Sequence, residues 1–331
     1  HCFFSDNQTD QSTLCFITVA MENSTEVVSF VLTMYGNIGN FKYLYFILAM
    51  LFYILVIFVN AVVIVIIYVD RNLHEPMYLI LCGLLANEIY GSTSLLPCLM
   101  AQILSDTHEI SVFYCFIQIF CIHTYAGIEY AILTIMAYDR YVCICKPLHY
   151  NVIITKRKIQ QVILAVWICI FVEVGVLLSF TIRLKLCGNI IYKVFCSNHL
   201  VSQLSCSSHR EMSHINDLVF CLVFSVVIPT GFISFTYIKI LGVCLNSSKE
   251  TKQKAVSTCT PHLVALLNFG FAGFYELITP NFDMTFLPYP LLVISCVYTL
   301  ICQPLLSPII YGLKLSKIRH ACKNFVASKM L

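Results

Sequence analysis

Seven long apolar stretches restrict the fold of this chain more than any other feature. They occupy residues 43–69, 76–100, 112–144, 159–180, 215–243, 255–277 and 286–313. A bilayer core of about 30 Å takes roughly 20 helical residues to cross, so each stretch is long enough to span it. Because backbone groups in lipid must hydrogen bond within their own segment, each stretch is predicted to be a helix. The sequence therefore predicts an all-α membrane protein, a seven-transmembrane helix bundle.

The composition agrees with a chain that lies mostly in lipid. Of its 331 residues, 59% are hydrophobic and 11% are charged, which leaves too little polar surface for a soluble fold of this size. The formal net charge is only +3, so a nucleic-acid partner is not indicated. The partner that the composition does predict is the lipid bilayer. The sequence carries no phosphate-binding loop and no recognisable nucleophile motif, and we therefore do not expect an enzyme.

Lys and Arg residues fall mainly on one side of the predicted spans. The loops after spans one, three and five and the C-terminal tail carry most of them, and such loops face the cytoplasm. This distribution predicts an extracellular N-terminal segment 1–42, a seven-transmembrane domain 43–313 and a cytoplasmic tail 314–331. The tail has an apolar stripe among basic residues, which predicts a short amphipathic helix after span seven. The protein is thus expected to be a multi-pass protein of the plasma membrane.

The N-terminal segment contains two candidate glycosylation sites. Asn7 and Asn23 both begin Asn-x-Ser/Thr tripeptides on the predicted outer side, and Asn23 is the better candidate because it lies close to the first span. Residues 1–20 precede Met21, and we interpret them as a disordered extension or a gene-model artefact.

Four of the 18 cysteines are predicted to face outward. Cys115 begins the third span, whereas Cys187, Cys196 and Cys206 share the long loop between spans four and five. In an oxidising compartment these four cysteines could form two disulfides, which would constrain that loop. The positions alone leave the pairing open.

Four sequence runs carry the most specific motifs of the chain: Pro76-Met77-Tyr78, the run MAYDRYVCIC at 136–145, the run KAVSTCTPH at 254–262 and the run PLLSPIIY at 304–311. Together these runs resemble the olfactory receptors of the rhodopsin-like G-protein-coupled class. The resemblance extends over nearly the whole chain. It implies pairing of Cys115 with Cys196 and of Cys187 with Cys206.

The resemblance also assigns roles at the cytoplasmic end of the bundle. Arg140 is expected to pair with Asp139 at rest and to meet a heterotrimeric G protein, together with Tyr141, once the helices part. Tyr237 and Tyr311 are expected to reach toward Arg140 and to stabilise the open cytoplasmic cleft. The alternatives are a topology anchor for Arg140 and ordinary interfacial tyrosines.

A ligand pocket is expected in the outer half of the bundle. His123 resembles the pocket histidine of the fish-like branch of these receptors, which takes water-soluble odorants, although a histidine on an apolar helix also fits a hydrogen-bonded core residue. Ala126 and Gly127 are expected to leave open volume near it. The same cavity is predicted to include Cys221, Ser225, Gly273 and Leu277.

Two acidic residues lie deep in the predicted spans. Glu88 in span two and Glu129 in span three match intramembrane acidic positions of the family and could share a proton or hold a sodium ion. The alternative is a structural role in which backbone or hydroxyl donors satisfy each carboxyl group. No other cofactor is expected.

Two positions depart from the family pattern. Ser307 stands where the common receptor motif has Asn, and the stretch 268–271 leaves Gly270 where an inward aromatic residue is expected. The resemblance nevertheless implies a receptor that binds a small-molecule odorant and raises cyclic AMP through a stimulatory G protein, in the cilia of olfactory sensory neurons. The alternatives are a transporter or channel that uses Glu88 and Glu129, and a non-functional member of the receptor family.

Overall fold

Six long helices dominate the computed structural model, which describes residues 27–35, 39–206, 226–278, 298, 302–312, 315 and 317–322. All six contain a stretch long and apolar enough to cross a bilayer. Their bounds are α1 Phe41–Val69, α2 Pro76–Leu104, α3 Val112–Cys145, α4 Lys156–Ile182, α5 Ile228–Leu245 and α6 Lys249–Ile278. These helices confirm the prediction of a helical membrane bundle. They correspond in order to the first six predicted spans.

Local chemistry explains several of the helix boundaries. Pro76 occupies the first turn of α2, where its missing N–H costs nothing because that group has no partner inside the helix. The Ser111 hydroxyl accepts a hydrogen bond from the Tyr114 N–H at the start of α3. At the start of α4 the Thr155 hydroxyl accepts in the same way from the Lys158 N–H. Both hydroxyls satisfy one of the free N–H groups of a helix start.

The seventh predicted span lies largely outside the described residues, but 302–312 is helical. The buried Asn60 side chain of α1 joins this segment, because its Nδ2 donates to the Pro304 carbonyl oxygen over 2.9 Å. Beyond it, 317–322 is also helical. Ile318 there is fully buried in the bundle core, so the described part of the tail packs on the protein.

A small three-stranded sheet, which the sequence did not predict, lies at one end of the bundle. Strand β1, Ser29–Leu32, lies between β2, Glu109–Ser111, and β3, Ile190–Ile191. It pairs antiparallel with β2 and parallel with β3. We call this end, which also carries two disulfides, the disulfide end, and the opposite end, where α3 finishes, the Arg140 end.

The core consists of two apolar clusters, one toward each end. Helices α2 and α3 approach each other closely at Gly91, where a Cβ atom would lie only 2.3 Å from the Tyr125 ring. Only a residue without a side chain allows Tyr125 to occupy this position. The helix α6 contains an internal proline, Pro261, which removes one backbone hydrogen bond from the helix.

Candidate functional site

At the Arg140 end, α3 carries a buried ion pair. The Arg140 guanidinium donates to the Asp139 carboxylate, and the two side chains are 11% and 1% exposed. The Tyr150 hydroxyl, from the short helix after α3, donates to the other Asp139 oxygen over 2.7 Å. Burial raises the pKa of Tyr150, which keeps its hydroxyl available as a donor. The arrangement fits the pairing of Asp139 with Arg140 that was expected at rest.

A histidine connects α5, α6 and α3 next to this ion pair. The buried His262 lies 2.8 Å through Nε2 from the Leu133 carbonyl oxygen of α3 and contacts the Tyr237 hydroxyl through Nδ1. Because a carbonyl oxygen can only accept, Nε2 must donate to Leu133. In a neutral imidazole Nδ1 then accepts the hydrogen bond from Tyr237. This contact holds α5, α6 and α3 together beside Arg140.

One cavity at this end brings Arg140, His262 and Tyr311 together. The Tyr311 hydroxyl donates to the Met136 sulfur over 3.7 Å, and Tyr237 is bonded to His262. In this conformation both tyrosines therefore have partners other than Arg140. The Tyr141 ring lies 6.5 Å from that of Phe235 on α5, and no described contact joins it to the Arg140 guanidinium.

The two intramembrane acids lie together in the centre of the bundle and are fully buried. Glu88 accepts hydrogen bonds from Ser307 at 2.8 Å and Tyr125 at 2.9 Å. Glu129 accepts from Asn87 at 2.9 Å and from Gln303 at 3.2 Å. Because Asn87 directly precedes Glu88 on α2, its bond to Glu129 makes the two acids neighbours.

The surroundings of Glu88 and Glu129 bear on the two interpretations of the pair, which are a shared proton or sodium ion and a structural role. Since adjacent carboxylates repel, a proton or a cation between Glu88 and Glu129 would compensate their charge. The four neutral donors on Tyr125, Asn87, Gln303 and Ser307 also match the structural alternative. Among the described residues no group of three or more His, Cys, Asp or Glu side chains forms a metal site.

The expectation for Gly270 is wrong. Gly270 is exposed, whereas the neighbouring Phe269 is buried and its ring lies 5.8 Å from that of Tyr130 on α3. Successive residues of a helix are about 100° apart, so Phe269 and Gly270 point in different directions. Phe269 is therefore the inward aromatic side chain of this part of α6, one residue before the position at which the sequence pattern expects it.

The predicted pocket residues are only partly within the described part of the chain. His123 is half-buried, and its Nδ1 lies 2.9 Å from the Ile119 carbonyl oxygen of its own helix. Ala126 packs against the apolar cluster of the Arg140 end, and a Cβ on Gly273 would meet no atom within 4 Å. Three predicted members fall outside the description: Cys221, Ser225 and the side chain of Leu277.

The expectation of open volume beside Gly127 is wrong. A Cβ atom at Gly127 would lie 3.0 Å from the Ile170 side chain of α4, which is already a tight contact. The missing side chain therefore lets α3 and α4 approach each other and leaves no space for a ligand at that point.

Two disulfides tie the long loop at the disulfide end. Cys115 at the start of α3 bonds to Cys196, and Cys187 bonds to Cys206. These are the pairs that the family resemblance implies. The glycosylation candidates Asn7 and Asn23 lie outside the described residues.

Sequence reasoning did not identify several partners of the site. Tyr125 lies four residues before Glu129 on α3, and Gln303 lies four residues before Ser307. That spacing places each pair on one helix face and could have identified both. In the sequence His262 is recognisable only as part of a motif. Its contacts to α3 and α5 depend on the packing of three helices, which the sequence does not reveal.

Comparison with known proteins then decides the family. Residues 49–329 match the olfactory receptor family. The chain belongs to this family. Its relatives include human olfactory receptor 51L1, 31% identical with 90% of this chain and 95% of the relative covered, and human olfactory receptor 4K1, 33% identical with 92% and 96% covered. Mouse olfactory receptor 4B13 is 30% identical, with 92% and 97% covered.

Family membership supports an odorant receptor function and a multi-pass membrane location for the receptor. The relatives are named as receptors, not as enzymes, transporters or channels. Assignment to the fish-like branch stays a prediction.

Proposed function

We propose that the receptor lies in the plasma membrane with its disulfide end outside, binds a small odorant in that half of the bundle and activates a stimulatory heterotrimeric G protein. Cyclic AMP would then rise in the cilia of olfactory sensory neurons. The observation that carries the proposal is the buried pair of Asp139 and Arg140 beside the His262 contact. A charged guanidinium buried at a membrane end is costly unless it has a partner or a function.

The orientation has two independent supports. Disulfides persist in oxidising compartments, and Cys115–Cys196 and Cys187–Cys206 both lie at one end. Lys and Arg concentrate toward the other end, which is the cytoplasmic preference of basic residues. An epitope tag before Asn23 should therefore bind antibody on intact cells. Binding only after permeabilisation would reverse the orientation.

The ligand site is proposed at His123, Cys221, Ser225, Gly273 and Leu277, with Ala126 where the site meets the apolar cluster of the Arg140 end. The half-buried His123 supplies a polar group in an otherwise apolar region, which is the usual composition of a small-molecule pocket. Gly127 is not part of this proposal.

Activation requires the contacts at the Arg140 end to separate. In the proposed mechanism odorant binding favours a conformation in which α6 leaves α3, so that the His262 bond to Leu133 breaks. Tyr237 and Tyr311 then become available to Arg140, and the G protein enters between the helices. The odorant can shift this equilibrium only by binding the open conformation more tightly.

An odorant screen in cells with a cyclic-AMP readout tests the proposal. Odorant should raise cyclic AMP with the native receptor, and Arg140→Ala should abolish the response at equal surface amount. Arg157→Ala removes an exposed cation from the same end and should respond normally. An Arg140→Ala receptor that signals like the native one would refute the role of Arg140.

A further inference from the structure

The N-terminal strand covers the disulfide end of the bundle with buried apolar side chains. Phe30, Leu32 and Tyr35 are 0%, 1% and 4% exposed, and all three belong to the apolar cluster of that end. These side chains therefore shield the described part of that cluster from water. We call residues 27–35 the N-terminal cap.

The cap joins two loops that otherwise have separate anchors. On one side the Leu32 N–H donates to the His108 carbonyl oxygen over 3.0 Å. On the other side the Val31 N–H donates to the Asn189 carbonyl oxygen over 2.8 Å. As the central strand, β1 supplies hydrogen bonds to both neighbours, and without it β2 and β3 have no common partner in this sheet.

Tyr35 extends the cap over the loop above the bundle. Its hydroxyl donates to the Val194 carbonyl oxygen over 2.6 Å, and its ring stacks on His108 with the centroids 4.8 Å apart. Two residues after Val194, the Cys196 N–H donates to the Gln118 side-chain oxygen of α3 over 2.9 Å. Tyr35 thus fixes the loop segment that lies directly on the helices.

The three strands differ in how firmly they are attached. The loop containing β3 is held by both disulfides, and β2 belongs to a short connection between α2 and α3. The cap itself contains no cysteine. Hydrogen bonds and apolar contacts alone hold it against β2 and β3, so it is the strand that can separate while the loop remains anchored.

We propose that the N-terminal cap is a gate of the receptor, whose opening admits molecules from water to the outer half of the bundle, and that Tyr35 is a positioning residue that keeps it closed. The inference rests on the proposed function in placing the odorant in that half. Opening breaks the bonds of β1 to both neighbours and uncovers the loop held by Tyr35. Closure shields the site from water.

A native thiol provides a probe that needs no odorant. Cys98 of α2 is half-buried and packs against the apolar cluster of the disulfide end. The probe is 2-(trimethylammonium)ethyl methanethiosulfonate, a small permanent cation that stays in water. Its rate of reaction with Cys98 is followed by peptide mass spectrometry of the full chain in nanodiscs, and a change of this rate in cap variants reports that the cap controls access.

A crosslink can lock the gate. Ser29 faces Ser111 across β1 and β2. Backbone hydrogen bonds join Val28 to Val112 and Leu32 to His108. Since hydrogen-bonded and non-hydrogen-bonded pairs alternate, Ser29 and Ser111 form a non-hydrogen-bonded pair, in which the side chains are close. Oxidised S29C/S111C should react at Cys98 about tenfold more slowly than S29C or S111C alone. The second facing pair, Val31 and Glu109, gives an independent crosslink at the same strands.

Tyr35→Phe tests the positioning role in the opposite direction. It keeps the ring on His108 but removes the bond to Val194, so Cys98 should react about two- to tenfold faster. Tyr45→Phe, on the exposed face of α1, is the matched control and should not change the rate.

Equal Cys98 rates in locked and single-cysteine receptors, for both crosslinked pairs, would overturn the gate. An unchanged rate in Tyr35→Phe would overturn the positioning role. Neither result tests the proposed odorant-receptor function. That proposal fails if the native receptor, without a crosslink, gives no cyclic-AMP response to any odorant. The two proposals can therefore fail independently.

Discussion

Single side chains join the helices at the Arg140 end of the receptor. His262 bonds to α3 through Leu133 and to α5 through Tyr237, so one imidazole joins three helices. Each net hydrogen bond contributes about 0.5–1.5 kcal/mol. Two such bonds are enough to change a population of open receptor severalfold.

Substitution of His262 should release this contact. His262→Phe removes both bonds and frees Tyr237, and we expect cyclic AMP without odorant to rise severalfold at equal surface amount. The control is His149→Phe, because His149 is exposed at the same end. Basal signalling that stays at the native level would show that the contact does not restrain activation.

The buried acids give a second prediction at this scale. If sodium lies between Glu88 and Glu129 at rest, sodium must weaken agonist binding, because linkage is reciprocal. Glu88→Gln with Glu129→Gln keeps the volume and removes the charge, so agonist affinity should become independent of sodium. The comparison replaces sodium with a bulky inert cation at constant ionic strength. If the agonist affinity of the native receptor does not change with sodium, the sodium site is excluded. A shared proton or a structural role then remains as the interpretation of the two acids.

Between elements, α2 and α3 approach each other closely at Gly91. Gly91 lets the Tyr125 ring lie against the α2 backbone, and the Tyr125 hydroxyl donates to Glu88. The packing of two helices and the hydrogen bonding of a buried acid therefore depend on one absent side chain. Such dense contacts respond strongly to added volume.

Gly91→Ala should displace Tyr125 and destabilise the receptor by about 1–3 kcal/mol, the usual cost of overpacking. Gly175→Ala is the control, because a Cβ at Gly175 in α4 meets no atom within 4 Å. Thermal unfolding of the detergent-solubilised proteins measures the difference. Equal melting temperatures for the two variants would contradict the packing argument.

For the whole molecule, the two disulfides differ in the length of chain that they close. Cys115–Cys196 spans 81 residues and Cys187–Cys206 spans 19. The chain-entropy account gives about 4.5 kcal/mol for the first and about 3 kcal/mol for the second. Replacing both Cys115 and Cys196 by Ala should lower the melting temperature more than replacing Cys187 and Cys206. The reverse order would show that local contacts outweigh loop length.

The sequence predicted the architecture well because lipid imposes a simple length and polarity rule. The first six predicted spans correspond to α1 through α6, whereas the short strand 29–32 has no comparable pattern and was missed. Its pairing depends on two loops distant in the chain. The Gly270 and Gly127 expectations failed because they concern which way a helix face points, and that depends on neighbouring helices.

The internal proline of α6 also divides that helix into two arms. Pro261 leaves 12 residues toward Lys249 and 17 toward Ile278, which at 1.5 Å per residue are about 18 Å and 26 Å long. His262, the attachment to α3, lies directly beside this division. A tilt of about 10° at the proline would swing the Lys249 tip by about 3 Å. A displacement at His262 that is just large enough to break its bond to Leu133 would therefore accompany a larger, side-chain-sized opening at the tip.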